Sequence, residues 1–161
     1  MTDPGESHAG PLRPAIAVAF AGVAFVALTI GGLGVTSLVL NADVISLPGA
    51  GQVPGAIGML VAAAVFAASL ALGLRVQHPS FWTAPIIAVA VYLFYSGGVV
   101  VGAVAAGVDP AAAIAAGGRT LLSWFGVVVA IAALVCGWGG IALVRTRAQR
   151  PRWGWERDDE E

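Results

Sequence analysis

Only four charged residues lie between Pro14 and Val144, and they are the first candidates for chemistry in this chain. They are Asp43, Arg75, Asp109 and Arg119. A carboxylate can act as a general acid or base, and a guanidinium can hold an anion. Long uncharged segments separate Asp43, Arg75 and Asp109, and Arg119 follows Asp109 after nine uncharged residues, so the four form no motif by spacing. A catalytic role would have to rest on Asp43, Asp109 or Arg119 in short connecting segments, and we expect none.

Other chemistry-bearing residue types are equally sparse. His8 and His78 have no further ligands near them in the sequence, as a metal site would require. The single cysteine, Cys136, lies in an apolar run, where a lone thiol is most often a small apolar side chain. No Ser/His/Asp set, phosphate-binding loop or nucleic-acid-binding patch can be assembled. The sequence therefore predicts a protein that is not an enzyme and has no cofactor, metal or nucleic-acid partner.

The uncharged segments determine the class of fold. The chain is 58% apolar and 11% charged, with a mean hydropathy of +0.89, whereas soluble domains are roughly 45–50% apolar and about 25% charged. Four segments reach the roughly 20 residues that a helix needs to cross a bilayer, at about 15–40, 55–74, 81–108 and 120–144. They show no period-two alternation. We predict an all-α membrane protein, a bundle of four transmembrane helices in up-down-up-down order in contact with the lipid bilayer.

Arginine placement predicts the orientation of these helices. With the N-terminus inside, seven of the eight basic residues fall on the cytoplasmic side and only Arg119 falls outside. Cytoplasmic flanks are enriched in Arg and Lys. We therefore expect a multi-pass protein of the bacterial cytoplasmic membrane with both termini in the cytoplasm. Residues 1–14 would form a disordered cytoplasmic N-terminus, 15–144 the transmembrane domain and 145–161 a cytoplasmic tail.

Small residues at helical spacing are candidates for helix packing. Gly98 and Gly102 form a GxxxG motif, and Ser69 and Gly73 form a related pair of small residues four apart. Such pairs let helix backbones approach closely in lipid, where the hydrophobic effect gives no help. Two interpretations stay open, namely packing among the four helices of one chain and an interface with another integral membrane protein or a second copy.

Polar residues within the third segment are the candidates for a binding face. Tyr92, Tyr95 and Ser96 are spaced i, i+3 and i+4, so they share one side of a helix. They would line a small polar site within the membrane, or they would serve only as hydrogen-bonding groups between helices.

The C-terminal tail combines arginines, tryptophans and then acids. The residues predicted to anchor it at the membrane surface are Arg145, Arg147, Arg150, Arg152, Trp153 and Trp155. Arginines are attracted to anionic headgroups, and tryptophan favours the interface. The acidic end would project into the cytoplasm, either as a solvating tail or as a docking peptide for a basic partner.

The segment after the third span predicts a short helix. Asp109 is a good N-cap and Pro110 suits the first helical position. We expect this helix over residues 111–116 and a break at Gly117 and Gly118 before Arg119. The sequence leaves open whether it lies on the membrane surface or extends the fourth span.

Taken together, these features resemble a known group of proteins. The Ala/Gly/Val-rich spans, the short polar N-terminus and the ending PRWGWERDDEE are similar to small four-span membrane proteins of unknown function from high-GC actinobacteria. The resemblance covers the whole chain and implies no activity or site residues. The functional hypothesis is an accessory or assembly subunit of a larger membrane complex. The alternative is a small permease or channel for a neutral solute, formed by self-association.

Overall fold

The computed structural model describes residues 14–41, 44, 50–75 and 80–147, and this part of the chain is helical. The helices are α1 (Pro14–Leu40), α2 (Val53–Leu74), α3 (Thr83–Ala105), α4 (Pro110–Leu121) and α5 (Trp124–Arg147). No strand occurs within these ranges. The predicted all-α fold with four membrane-spanning helices is confirmed, because α1, α2, α3 and α5 are long and apolar enough to cross a bilayer.

Three spans begin or end at residues that differ from the predicted ones. Helix α2 starts at Val53, because Pro54 occupies its first turn, where proline is tolerated. Helix α3 ends at Ala105, and the chain then turns at Gly107, whose φ of 84° favours glycine. The fourth span starts at Trp124 and not at Thr120.

Helix α4 was predicted only in part. Asp109 caps it as expected, since its Oδ2 accepts hydrogen bonds from the backbone N–H groups of Ala111 (3.0 Å) and Ala112 (3.2 Å). The predicted break at Gly117 and Gly118 is wrong, because the helix continues to Leu121. It is a separate helix packed against α3, and α5 begins only after the bend at Leu122 and Ser123.

The four long helices pack in a closed ring in the order α1, α2, α3, α5. Neighbours are antiparallel: Gly102 of α3 lies beside Pro54 of α2, and Gly73 near the other end of α2 lies beside Thr83. The buried side of α2 repeats every four residues, through Pro54, Gly58, Ala62, Phe66, Leu70 and Leu74. This spacing is typical of ridges that pack into the grooves of a neighbouring helix.

The middle of the ring is filled by aromatic side chains. Phe25 of α1 and Phe66 of α2 stack with ring centroids 4.7 Å apart and planes inclined by 11°. Both are fully buried. Below, the end of the ring that carries Phe81 and Arg145 is called the Arg145 end, and the opposite end is called the Trp124 end.

Several predictions fall outside the described residues. These are the disordered N-terminus up to residue 13, the loop carboxylate Asp43, the two histidines and the tail from residue 148 onward, which includes Arg150, Arg152, Trp153 and Trp155. The predicted tail segment begins within α5, which continues to Arg147.

Candidate functional site

The GxxxG motif of α3 lies against α2. A β-carbon added at Gly98 would be 2.8 Å from the Cα of Gly58, and one added at Gly102 would be 2.7 Å from the Cα of Pro54. Both distances are too short for a side chain, so the two backbones touch here. The pair is therefore used for packing within the chain, at the contact called the α2–α3 seam below.

The second pair of small residues lies at the other end of α2. A β-carbon at Gly73 would be 2.8 Å from Cγ2 of Thr83, so this glycine accommodates the first turn of α3. Ser69, one turn earlier, is half-buried. Gly73 thus also contacts a helix of the same chain.

The three polar residues of α3 do not meet at one site. The Tyr92 hydroxyl donates a hydrogen bond to the Leu121 carbonyl at the end of α4. Tyr95 is buried beside Gly58 of α2, where its ring would be 3.3 Å from an added β-carbon. The backbone carbonyl of Ser96 faces Gly117 of α4. Although they share one side of α3, Tyr95 contacts α2, whereas Tyr92 and Ser96 contact α4.

Tyr92 supports the bend between α4 and α5. Its ring lies where a side chain at Gly126 would project, with Cε2 2.8 Å from an added β-carbon, and its hydroxyl binds a carbonyl at the end of α4. Ser123 adds a second bond, from its Oγ to the Thr120 carbonyl at 2.8 Å. The carbonyls that a helix end leaves unpaired are thus satisfied by side chains here.

Tyr92→Phe is expected to loosen this bend without unfolding the ring. The change removes one hydroxyl whose hydrogen bond is worth about 0.6 kcal/mol, and at most about 1.7 kcal/mol, between membrane helices. Amide hydrogen exchange of α4 in detergent should become severalfold faster, while exchange in α2 stays unchanged. Unchanged protection of residues 117–123 would contradict the role given to the hydroxyl.

Two hydroxyls in the spans remain unsatisfied among the described residues. Thr29 of α1 and Ser96 of α3 have buried side-chain oxygens with no hydrogen-bond partner there. Buried polar atoms usually have such a partner. They belong to different helices, and α1 and α3 are not neighbours in the ring. They therefore do not form a polar path across the membrane.

Helix α1 is the least buried of the four spans. In an apolar stretch of 18 residues, 22% of α1 is buried, against 28% in α2, 39% in α5 and 50% in α3. Ala27, Gly31 and Gly34 lie on its exposed side, and a β-carbon at either glycine would meet no atom within 4 Å. Ala27 and Gly31 are four residues apart, so they form an exposed pair of small residues, and no atom of the described residues lies within 4 Å of a β-carbon added at Gly31. We call these three residues the open α1 face.

A second feature that the sequence interpretation missed is an aromatic and cationic cluster at the Arg145 end. The guanidinium carbon of Arg145 lies 4.6 Å from the centroid of the Phe81 ring, and the rings of Phe81 and Trp138 are 5.8 Å apart. A cation at this distance over an aromatic face is attracted by the ring. We call these three residues the Arg145 cluster. Arg145 was predicted as a surface anchor, but its contact with Phe81, 64 positions earlier, left no signal in the sequence.

Among the described residues, Arg75, Asp109 and Arg119 form no ion pair with one another. Asp109 caps α4 at the end of α3, whereas Arg75 follows α2 at the Arg145 end. Arg119 is exposed in the last turn of α4. Within the described ranges, no three His, Cys, Asp or Glu side chains are grouped so that they could hold a metal ion. Cys136 is buried and unpaired.

The class of protein follows from the length and the apolar composition of the helices. It is a multi-pass membrane protein, with four helices able to span a membrane and one short helix in the part of the chain that the structure describes.

Comparison with known sequences then gives the family. The model of a family of unknown function, DUF6121, matches residues 12–161, so the chain belongs to that family. No curated protein and no solved structure matches the chain.

Proposed function

We propose that this protein is a non-enzymatic accessory or assembly subunit of a larger membrane complex. We place it in the cytoplasmic membrane of an actinobacterium, with both termini in the cytoplasm. The observation that supports the subunit role is the open α1 face. The small residues could serve packing within the chain or an interface with another membrane protein. The contacts support internal packing for the glycines of α3 and an external interface for those of α1.

The seam glycines support internal packing. Gly98 and Gly102 are already covered by α2, so they present nothing to a partner. Gly31 and Gly34 are uncovered, and they lie between Ile30 and Val35, which are 61% and 62% exposed. Helices associate in lipid by van der Waals packing where small residues permit close approach. A helix of another membrane protein packed on the open α1 face would gain contacts that lipid chains make poorly at such a recess.

The permease hypothesis has less support. A path for a neutral solute would need free polar side chains converging on one face, but Tyr95 is directed to α2, and the Tyr92 hydroxyl is already bonded to the Leu121 carbonyl of α4. It stays a prediction from the sequence.

The subunit proposal predicts that Gly31→Leu detaches the partner. A leucine there fills the recess, so the partner helix can no longer approach and its recovery should fall at least tenfold. The full chain would be purified in mild detergent and the proteins bound to it quantified by mass spectrometry. Gly97→Leu is the matched control, since Gly97 of α3 is also exposed with no atom within 4 Å of an added β-carbon.

Two results would count against the proposal. One is a monomer without any stoichiometric companion in the native preparation. The other is a companion that Gly31→Leu and Gly97→Leu retain equally, which would place the interface elsewhere.

A further inference from the structure

We propose that the Arg145 cluster and the groove beside it form a binding site for one anionic phospholipid. The groove lies between α3 and α5 and has a volume of about 360 Å³. Its walls include Pro85 and Tyr92 of α3 and Ala130 and Leu134 of α5. These walls are almost wholly apolar, as a fatty-acyl chain requires.

The groove leads to the cluster. Pro85 is one helical turn from Phe81, and Leu134 is one turn from Trp138, so both walls continue into the aromatic pair that contacts Arg145. The site therefore has a cationic end and an apolar length, the arrangement that complements an anionic amphiphile.

The groove and the Arg145 cluster together extend over about one leaflet. From Pro85 to Tyr92 the groove follows α3 for about 10 Å at 1.5 Å per residue, and the cluster, which includes Phe81 four residues before Pro85, extends the site toward the interface. Half of a 30 Å hydrocarbon core is about 15 Å. At the far end the Tyr92 hydroxyl is already bonded to the Leu121 carbonyl, so it closes the groove without offering a free polar group. An acyl chain of one leaflet would extend from the interface to this point.

The positive charge of Arg145 makes an anion the expected ligand of the Arg145 cluster. Asp109 is the single acidic residue in the described part of the chain, and it caps α4 near the Trp124 end. No described carboxylate therefore neutralises Arg145. The guanidinium contacts the ring of Phe81, four residues before Pro85, which lies at one end of the groove, and guanidinium groups bind phosphate with paired hydrogen bonds. A lipid phosphate whose negative charge is not offset by a headgroup cation is the ligand that this position fits.

The experiment measures lipid retained by the full chain in native mass spectrometry. The protein would be purified in mild detergent and mixed with phosphatidylglycerol or phosphatidylcholine of identical acyl chains. We expect one phosphatidylglycerol to be retained in preference to phosphatidylcholine. Arg145→Gln should lower this preference about fivefold, the factor expected for one arginine at an anionic surface. Arg75→Gln, an exposed arginine at the same end, is the matched control and should leave it unchanged.

A second pair of variants tests the acyl-chain part of the site. Ala130→Phe fills the groove without changing charge and should abolish retention of the single lipid. Ala64→Phe makes the same exchange at an exposed position of α2 and should have no effect. The proposal would be overturned by equal retention of the two lipids. It would also be overturned if Arg75→Gln acted like Arg145→Gln, or if Ala130→Phe retained phosphatidylglycerol normally.

Discussion

Gly98→Leu is expected to destabilise the protein more than any other single change considered. An added β-carbon would already lie 2.8 Å from the Cα of Gly58 and 3.1 Å from Cβ of Val61, so α2 and α3 must separate. Overpacking of a well-packed interior costs about 1–3 kcal/mol, and the upper value applies here because the obstructing atom is backbone. Unfolding by sodium dodecyl sulfate, followed by circular dichroism, would measure the loss.

The neighbouring residue provides the control for this prediction. Gly97→Leu introduces the same side chain one position earlier, where no atom lies within 4 Å of an added β-carbon. Its effect should stay within about 0.5 kcal/mol, as for most exposed substitutions. Equal destabilisation by the two variants would mean that α3 responds to leucine in general, and that the α2–α3 seam is not the cause.

Phe66→Ala is the second large effect. Phe66 is fully buried and stacks on Phe25, so the change leaves a cavity between α1 and α2. In soluble cores such a truncation costs about 3–5 kcal/mol. Part of that cost in soluble proteins comes from the transfer of the side chain between water and the protein interior. This contribution is absent in a membrane, since lipid tails are as apolar as the interior. We expect the cavity and lost contacts to cost about 2 kcal/mol, measured by the same unfolding assay.

Phe94→Ala is the matched control for the cavity. Phe94 of α3 is 55% exposed, so lipid chains can fill the space that its ring leaves. Its removal should cost well under half of the Phe66→Ala effect. A similar loss for both variants would argue that the Phe25–Phe66 stack is not a special source of stability.

The membrane spans could be predicted from the sequence because an apolar segment of 20 or more residues without charge forms few structures other than a membrane-spanning helix. Which side of each span packs against another helix could not be predicted. In a soluble helix the polar side marks the exterior, but here the exterior is lipid and both sides are apolar. The residues Gly31 and Gly98 look alike in the sequence, yet one faces outward and the other touches Gly58.

The short helix shows a different limit. Two consecutive glycines normally indicate a break, since each disfavours a helix by about 1 kcal/mol relative to alanine. In α4 the first of them, Gly117, lets the helix pack closely on α3, where an added β-carbon would be 2.4 Å from Cγ2 of Val100. The stability gained from this close packing depends on α3, so the sequence of α4 alone does not reveal it. The Arg145 cluster was missed for the same reason, because its members come from two distant segments.

The order of helices around the ring has a consequence for biosynthesis. Helix α1 packs more extensively on α5 than on α2, although α2 follows it in the chain. The α2–α3 hairpin has its seam complete as soon as both helices have been inserted, whereas α1 must wait for the last span to emerge from the ribosome. Contacts between distant segments form late. Until α5 is inserted, the side of α1 that packs on α5 is therefore exposed to the bilayer, in addition to the open α1 face.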